Sequence, residues 1–430
     1  MRDVLADARK KGASACEAEV SEGFGQSVSV RCGEVETIEY NRDKGLGITI
    51  YQGQRKGHAS TSDLSRKALQ DTVDAALNIA RFTAPDDCAG LAEAELLATE
   101  MMPLDLYYPW LDSVEQSIDL AKACEEAAFA VDPRISNSEG ASISTQEAHF
   151  CMGNSLGFEG GYASSRHYIS CSVIAGEQEA MQRDDWYTTA RDPAQLADAA
   201  SVGADAAKRA LARLGSQRIK TGEVPVIFEA QLAASLIGNF VHAVSGGALY
   251  RKTTFLLDQM GKSVFSPSIS IRERPHLSKG LASSPFDNDG VRTQDRDIVQ
   301  AGVLQGYFLS TYTARKLGLR STGNAGGCHN LIVEPGKDDL DALLRQMDRG
   351  LLVTELLGQG VNYVTGDYSR GAAGFWVENG RIVHPVEEIT IAGNLKDMFR
   401  NIVAVGSDTL VRGSKQCGSL LLERMTVAGV

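Results

Sequence analysis

The sequence TGDYSRGAAGFWVENG, residues 365–380, sets the pattern for the second half of the chain. An Asp beside a Gly suits a turn, and glycines paired with alanines precede a Trp. Composition alone therefore predicts a turn-rich pair of strands, in which Asp367 and Arg370 could form a local charge-assisted pair. The polar run that contains Asp367, Tyr368 and Arg370 would equally suit a functional loop.

The segments around this stretch predict an α+β protein with largely antiparallel sheets and flanking helices. PVIFEA reads as a strand, a helix runs to about residue 243, and many short strands follow, set by Gly-rich turns. One helix near DDLDALLRQMDRGL interrupts them. Strands outnumber helices in this half and do not alternate regularly with them, which favours the α+β class with a strand-rich C-terminal half.

The first half combines a strand meander with helices. After a first helix, four β-type runs are punctuated by Gly33, Gly45 and Gly53, a pattern typical of an antiparallel meander: QSVSVRC, EVETIEYN, LGITIYQ and KGHASTS. Helices are predicted over SDLSRKALQDTVDAALNIARFTAPD, near SVEQSIDLAKACEEAAFAV and, Ala-rich, over 190–214, with strands over 135–187. The polar GSQRIKTGEV marks a boundary, so we predict two domains, residues 1–215 and 224–430.

Composition excludes several classes of function. The 430 residues carry a net charge of −12 and no basic run, which argues against a nucleic-acid-binding protein. Eight scattered cysteines without a C-x-x-C pair are typical of reduced thiols in a cytoplasm. The N-terminus has no apolar signal region, and no apolar window reaches the ~20 residues of a membrane span. We therefore expect a cytoplasmic globular protein.

Three short motifs have simpler explanations than catalysis. GNSLG at 153–157 matches G-x-S-x-G, but strand-like residues follow where that motif requires a helix, so a hairpin turn at Asn154–Ser155 accounts for it. DNDG at 287–290 lacks the remaining ligands of a calcium loop and predicts a turn. The seven histidines show no metal-ligand spacing, and the adjacent Cys328 and His329 are a poor chelating pair.

Read with its continuation, the opening stretch resembles a known family. TGDYSRGAAGFWVENG followed by PVEEITIAGNLKDMFRNIVAVGSD is similar to the TldD/PmbA family, and more narrowly to its PmbA (TldE) branch, which is labelled "modulator of DNA gyrase". Further matching segments are GEVETIEYN, DDCAG at 86–90, YRKTTFLLD at 250–258, HLSKGLASSPFDNDGVRT at 276–293 and TARKLGLRSTGNAGG at 313–327. The resemblance spans essentially the whole chain.

The resemblance implies a zinc metallopeptidase built from a TldD-type and a PmbA-type chain. The TldD-type chain carries H-E-x-x-x-H on a helix and a Cys near the C-terminus, which together hold one zinc. In this chain Gly238 and Ala243 stand at the two His positions, and Asn239 stands at the Glu position. Cys417 keeps the Cys position as a relict of the metal site, and His242 lies one step out of register. We expect neither a metal nor a catalytic residue in this chain.

The resemblance also implies what this chain contributes. Zinc is expected in the TldD-type partner, and unfolded peptides are the expected substrates, without nucleic acid or membrane. A homodimer is plausible for the chain alone. Asp367, Tyr368 and Arg370 are expected to line a substrate or partner surface, and the segment 358–380 is expected to offer a sheet edge to which an extended peptide adds as a strand.

Two alternatives stay open at this point. The chain could assemble its own metal site from His329, His384 and Cys417, although no spacing supports that arrangement. It could also be a non-enzymatic regulator that binds a gyrase-related or toxin-related partner, as the older family label suggests.

Overall fold

The computed structural model describes all 430 residues. Its helices are α1 Arg2–Lys10, α2 Arg66–Phe82, α3 Val114–Val131, α4 Ala199–Ala212, α5 Ala230–Ala243, α6 Gly246–Tyr250, α7 Thr311–Lys316, α8 Leu340–Met347 and α9 Leu395–Arg400. Strands of the first half are β1 Ala15–Arg31, β2 Glu34–Gln52, β3 Arg55–Thr61, β4 Ile135–Asn154, β5 Glu159–Ala175 and β6 Gln182–Ala190. Those of the second half are β7 Gly222–Phe228, β8 Ile271–Glu273, β9 Arg296–Gln300, β10 Val303–Leu304, β11 Leu331–Val333, β12 Gly350–Leu357, β13 Asp367–Glu378, β14 Arg381–Asn394, β15 Ile402–Val405, β16 Leu410–Val411, β17 Lys415–Cys417 and β18 Leu420–Ala428.

A six-stranded antiparallel sheet of order β3-β2-β1-β4-β5-β6 organises the first half. Its β1–β2 hairpin closes over Cys32 and Gly33, which both have positive φ, as a two-residue turn requires. The meander is confirmed, but the prediction that Gly45 ends a strand is wrong. Gly45 pairs with Ser21 inside an uninterrupted ladder, so EVETIEYN and LGITIYQ form one strand.

The helices that pack on this sheet each begin directly after a capping residue. α2 begins after Ser65, and α3 begins at a capping box formed by Ser113 and Gln116. The predicted helix over 190–214 is wrong in its first turns. β6 runs to Ala190, a short 3₁₀ turn opens at Pro193, and Asp198 caps α4 by accepting from the Ser201 N–H.

Two six-stranded sheets form the second half, and most of their neighbouring strands are antiparallel, as the sequence predicts. One sheet has the order β10-β9-β8-β11-β17-β16. The other has the order β14-β13-β12-β7-β18-β15, with an additional pairing of β14 to β18 at Thr390–Ala392 and Thr426–Ala428. That pairing closes five strands into a ring, which leaves β15 as an appendage on β18.

The second half is built around one large apolar core. Phe240 of α5 packs against Phe265 with ring centroids 4.9 Å apart, and Phe265 stacks on Phe399 at 4.7 Å. The eight cysteines form no disulfide. None of the helices combines the length and the hydrophobicity that crossing a bilayer demands.

Contacts between the two halves are buried and specific. Arg315 of α7 donates from Nη2 to the Leu91 carbonyl at 2.6 Å, and Arg191 donates from Nε to the Gly280 carbonyl at 2.8 Å. Phe158 packs edge-on against Phe286 with centroids 5.2 Å apart. These contacts hold the two halves in a fixed relation. The division of the chain into two domains, residues 1–215 and 224–430, stays a prediction.

Candidate functional site

Helix α5 carries the positions that the resemblance assigns to a metal site. Its apolar face, which includes Phe240, lies in the large core. Ala243 belongs to that face and is fully buried, whereas Gly238 is half-buried and His242 is exposed. Asn239 lies between them and is 8% exposed. These positions differ in depth, and only the side near Gly238 and His242 is open to a ligand.

The Asn239 side chain is fixed by a tyrosine from the loop that follows β12. Tyr363 donates from its hydroxyl to Asn239 Oδ1 at 2.9 Å, and its ring lies 3.9 Å, centroid to centroid, from the His242 ring. Asn239 Nδ2 donates to the Ser235 carbonyl at 3.4 Å. An amide held in this way is a neutral structural group, and it cannot serve as the general base that a Glu would supply at this position.

A lysine occupies the neighbourhood of the first His position. A Cβ built on Gly238 would lie 3.5 Å from Lys415 Cε, so the lysine stem passes directly over the glycine. The Lys415 ammonium has no carboxylate within ion-pair distance, and its one hydrogen-bond acceptor is Ser414 Oγ at 3.5 Å. Positive charge beside Gly238 disfavours a divalent cation there.

The residues present do not fit a zinc ion. Cys417 is fully buried, and burial, followed by the nearby Asp408 carboxylate, raises the pKa of its thiol, which opposes the thiolate that zinc requires. Nowhere in the chain do three His, Cys, Asp or Glu side chains converge in a metal-binding arrangement. His329, His384 and Cys417 therefore do not form the alternative site, and His329 instead contacts the Gly323 carbonyl at 3.0 Å.

Residues 365–380 form β13 and the turn into β14, and the side chains of Asp367, Tyr368 and Arg370 lie in different environments. Asp367 is exposed and accepts from Thr365 Oγ1 at 2.6 Å and from Asn394 Nδ2 at 3.0 Å, and these two donors lower its pKa. The predicted Asp367–Arg370 pair does not form. Instead, Arg370 is half-buried with an Nε donor that has no acceptor.

The assignment of Tyr368 to a substrate or partner surface is wrong for the chain alone. Tyr368 is 2% exposed and belongs to the large core, because it lies on the inward face of β13. Burial raises the pKa of its hydroxyl to about 12. Only Asp367 and part of Arg370 are available to a ligand or partner.

The expected free sheet edge at 358–380 is also absent. β13 pairs with β14 along its whole length, and it pairs with β12 from Gly371 to Val377. The N–H of Ser369 donates to the Gly360 carbonyl at 2.7 Å, so the preceding loop covers the remaining edge. The ring of strands leaves no room for a peptide to add here.

Both short motifs proved to be turns, as predicted. Residues 153–157 join β4 to β5 as a hairpin, and Ser155 Oγ accepts from the Cys16 N–H at 3.0 Å. In DNDG, Asp287 Oδ1 accepts from the N–H groups of Asp289 and Val291, both at 2.9 Å. Neither motif presents a nucleophile or a calcium loop.

Sequence reasoning missed a cleft of about 930 Å³ between the first sheet and α7. Glu17, Tyr51 and Asp289 line it, and the Tyr51 hydroxyl donates to Glu17 Oε1 at 3.1 Å. Burial, followed by the charge of Asp289, raises the pKa of Glu17 to about 7. No local motif could reveal this pairing, because the two carboxylates lie in different halves of the chain.

The raised pKa of Glu17 predicts a pH-dependent stability. In the unfolded chain Glu17 ionises near its ordinary pKa of ~4.3, whereas in the folded chain it stays protonated to about pH 7. The folded state therefore binds more protons between these values, and stability falls as pH rises through this window. Replacing Glu17→Gln should raise the free energy of unfolding by ~2 kcal/mol at pH 8 and by much less at pH 5.

Urea unfolding at the two pH values measures this difference. The matched control is Glu39→Gln on the exposed part of β2, which should change stability little at either pH. An equal effect of Glu17→Gln at both pH values would contradict the assignment of a raised pKa.

Comparisons with known proteins agree across the whole chain. Three family models match, described as PmbA/TldA metallopeptidase domain 1 (residues 16–80), central domain (107–214) and C-terminal domain (221–429). The chain is 52% identical to Metalloprotease PmbA of Escherichia coli O157:H7, over 99% of this chain and 94% of that protein. A Bacteroides thetaiotaomicron crystal structure, whose description refers to modulation of DNA gyrase, superposes with a TM-score of 0.95 at 30% identity, covering 100% of this chain and 98% of that one. TldE from Thermococcus kodakarensis shares the fold, with a TM-score of 0.88 at 20% identity and full coverage of both chains.

Proposed function

Because this chain belongs to the PmbA/TldD metallopeptidase family, we propose that it is the metal-free, PmbA/TldE-type subunit of a two-chain zinc peptidase. The complex would act in the cytoplasm, cleave unfolded polypeptides and process peptide precursors. The zinc would lie in a TldD-type partner, where it would activate a water molecule for attack on the peptide bond. This chain would complete the substrate chamber.

The observation that carries the metal-free assignment is the environment of Gly238. The positions of the two His residues and the Glu hold Gly238, Ala243 and Asn239, and the Lys415 stem packs over the glycine. Cys417 alone keeps its ligand position, and its thiol is buried with a raised pKa. One thiol supplies too few ligands for a catalytic zinc, which takes three protein ligands.

Substrate or partner contacts are proposed at the open end of β13. Asp367 is exposed there, and Arg370 is half-buried, with its Nε itself closed to solvent. Only the part of Arg370 that stays exposed would contact a bound chain, where a guanidinium suits a backbone carbonyl or a carboxylate. Because the strand edges of the ring are occupied, this contact would use side chains and not strand addition.

Purification of the chain alone and together with a TldD-type chain tests the proposal. We expect the lone chain to contain no stoichiometric zinc and to leave an unstructured peptide intact, and the pair to contain zinc and to cleave it. Metal analysis and mass spectrometry of the peptide provide the two readouts. Stoichiometric zinc together with cleavage by the lone chain would refute the metal-free assignment.

Arg370→Ala is expected to lower peptide cleavage by the paired complex about tenfold, the cost of one charge-assisted hydrogen bond. Its zinc content should stay unchanged, because the zinc ligands would belong to the TldD-type partner and not to this chain. Arg381→Ala, an exposed arginine at the start of β14, is the matched control and should keep full activity. A loss of zinc in Arg370→Ala would assign this residue another role.

A second candidate is a non-enzymatic regulator that binds a DNA gyrase-related or toxin-related partner. The description of the Bacteroides thetaiotaomicron structure, which refers to gyrase, favours testing it. The discriminating experiment replaces the zinc ligands of the TldD-type partner in cells. A gyrase-related phenotype that survives this replacement would favour the regulator over the peptidase subunit.

A further inference from the structure

The cleft of about 930 Å³ between the first sheet and α7 carries more negative than positive charge. The charged side chains that line it are Glu17, Asp86, Asp87, Asp289, Lys56 and Lys316. Lys316 pairs with Asp86 at 2.9 Å, which leaves Lys56 as the one unpaired cation against three carboxylates. A cleft lined mainly by one sign of charge concentrates ligands of the opposite sign, so this cleft favours a cation.

The first sheet forms one wall of the cleft and presents the Glu17 carboxylate. Glu17 of β1 lies opposite Thr49 of β2. Tyr51, two residues further along β2, lies opposite Lys56 of β3, so the side chains of Glu17, Tyr51 and Lys56 share one face of the sheet. The Tyr51 hydroxyl donates to Glu17 Oε1 at 3.1 Å, whereas Glu17 Oε2 has no hydrogen-bond partner and no cation forms an ion pair with Glu17.

The second half of the chain supplies Asp289 and Thr311 to the cleft. The DNDG turn fixes Asp289, because the buried Asp287 carboxylate accepts from the Asp289 N–H at 2.9 Å. Asp289 Oδ2 accepts from the Thr311 N–H at 2.8 Å, and Asp289 Oδ1 has no hydrogen-bond partner. Thr311 is 3% exposed, and its buried hydroxyl oxygen has no partner either. Buried hydroxyls without a partner are rare in folded proteins, so this one indicates a ligand.

The two carboxylates carry a charge that the chain itself does not balance. Burial raises the pKa of Glu17 to about 7, and the charge of Asp289 adds to the rise. The charge of Glu19 acts in the same direction, while the Tyr51 hydroxyl and the Lys56 ammonium oppose it. Glu17 is therefore about half ionised at neutral pH, and a cation placed near both carboxylates would complete its ionisation.

We propose that the cleft binds a primary ammonium group of a peptide, either its α-amino terminus or a lysine side chain, between Glu17 and Asp289. An ammonium group has three N–H donors, and the two carboxylates and the Thr311 hydroxyl offer three acceptors that the chain does not use. A metal ion fits less well, because no three His, Cys, Asp or Glu side chains converge in the chain. The volume of the cleft also leaves room for the residues that adjoin the ammonium group.

Isothermal titration calorimetry of the full-length chain at pH 7 tests this site. It involves neither zinc nor a TldD-type partner, so its result is separate from the test of the proposed function. The probes are short unstructured peptides with amidated C-termini: one with a free amino terminus and no lysine, one acetylated with a single lysine, and one acetylated without lysine. At least one of the first two should bind tenfold or more tightly than the third, and the tighter one identifies the source of the ammonium group. Equal affinity of all the peptides, or binding by none, would overturn the proposal.

Two variants locate the ammonium group within the cleft. Glu17→Gln and Asp289→Asn each remove one carboxylate charge and keep an oxygen that can accept from Tyr51 or from Thr311. Each should lower the affinity for the ammonium peptide at least tenfold and leave that for the acetylated, lysine-free peptide unchanged. Because Glu17→Gln is expected to stabilise the fold, its loss of binding would not come from unfolding. Glu39→Gln on the exposed part of β2 is the matched control and should bind like the wild type. Full ammonium binding in both cleft variants would contradict the site.

The pH profile of binding supplies an independent readout. From pH 5 to pH 7 both kinds of ammonium group stay largely charged, whereas Glu17 passes from protonated to about half ionised. The affinity of the wild type for the ammonium peptide should therefore rise at least fivefold over this range, and that of Glu17→Gln should rise much less. A wild-type affinity that is the same at pH 5 and pH 7 would overturn the assignment of Glu17 to the site.

Discussion

Glu273→Ala is expected to lower the free energy of unfolding by about 3–5 kcal/mol, because it leaves a buried arginine without its counter-charge. Glu273 ends β8 and is 1% exposed. Its carboxylate accepts from Arg296 Nη2 at 2.6 Å, from Asn324 Nδ2 at 2.8 Å and from the His329 N–H at 2.8 Å. Removal of the carboxylate takes away the one ion-pair partner of Arg296, whose side chain is 13% exposed, and leaves the His329 N–H without an acceptor.

Chemical denaturation of the purified chain measures this loss, and a surface pair in the same sheet provides the control. Glu334 contacts Arg272 at 2.7 Å, but both side chains are nearly half exposed, so Glu334→Ala should cost less than about 1 kcal/mol. Similar losses for the two variants would show that burial does not set the strength of the Glu273 network.

Gly203→Ala is expected to destabilise the chain by about 3 kcal/mol, even though alanine is the better helix former. Gly203 lies in α4 where that helix crosses α3, and a Cβ built on it would lie 1.8 Å from the Cys124 carbonyl oxygen. The neighbour is backbone, so no side-chain rotation relieves the clash, and the two helices must move apart.

Gly238→Ala is the matched control, because it places the same methyl group on another helical glycine. Its Cβ would lie 3.5 Å from Lys415 Cε, an ordinary contact with a flexible side chain. Alanine should therefore stabilise α5 by up to about 1 kcal/mol. Thermal unfolding of both variants gives the comparison, and a stable Gly203→Ala protein would contradict the close crossing of α3 and α4.

Local sequence signals predicted most elements of the fold and failed where tertiary pairing decides. The meander, the helices α2 and α3 and the α+β class followed from periodicity and capping residues. The prediction of a strand end at Gly45 failed because the sequence alone does not distinguish a glycine inside a long paired strand from a glycine in a turn. Pro193 and Asp198 mark the late start of α4 in the structure, whereas the predicted helix over 190–214 followed the alanine-rich composition alone.

For the candidate site, the sequence predicted which residues occupy the key positions but not their burial or their contacts. The resemblance identified Gly238, Asn239 and Ala243 as replacements, but the burial of Tyr368 and the position of Lys415 depend on contacts between distant strands. The pairing of β14 with β18, which removed the predicted free edge, is equally long-range. Single-sequence patterns carry no information on such partners.

The ring of strands in the second half also constrains the order of events during synthesis. β18 bridges β7, where the ring starts, and β14, so the ring cannot close until residues 420–428 have left the ribosome. Until then β7 and β14 each present an open edge that another nascent chain could capture. A product cut short before Leu420 would keep both edges open permanently, and we expect it to aggregate or to be degraded.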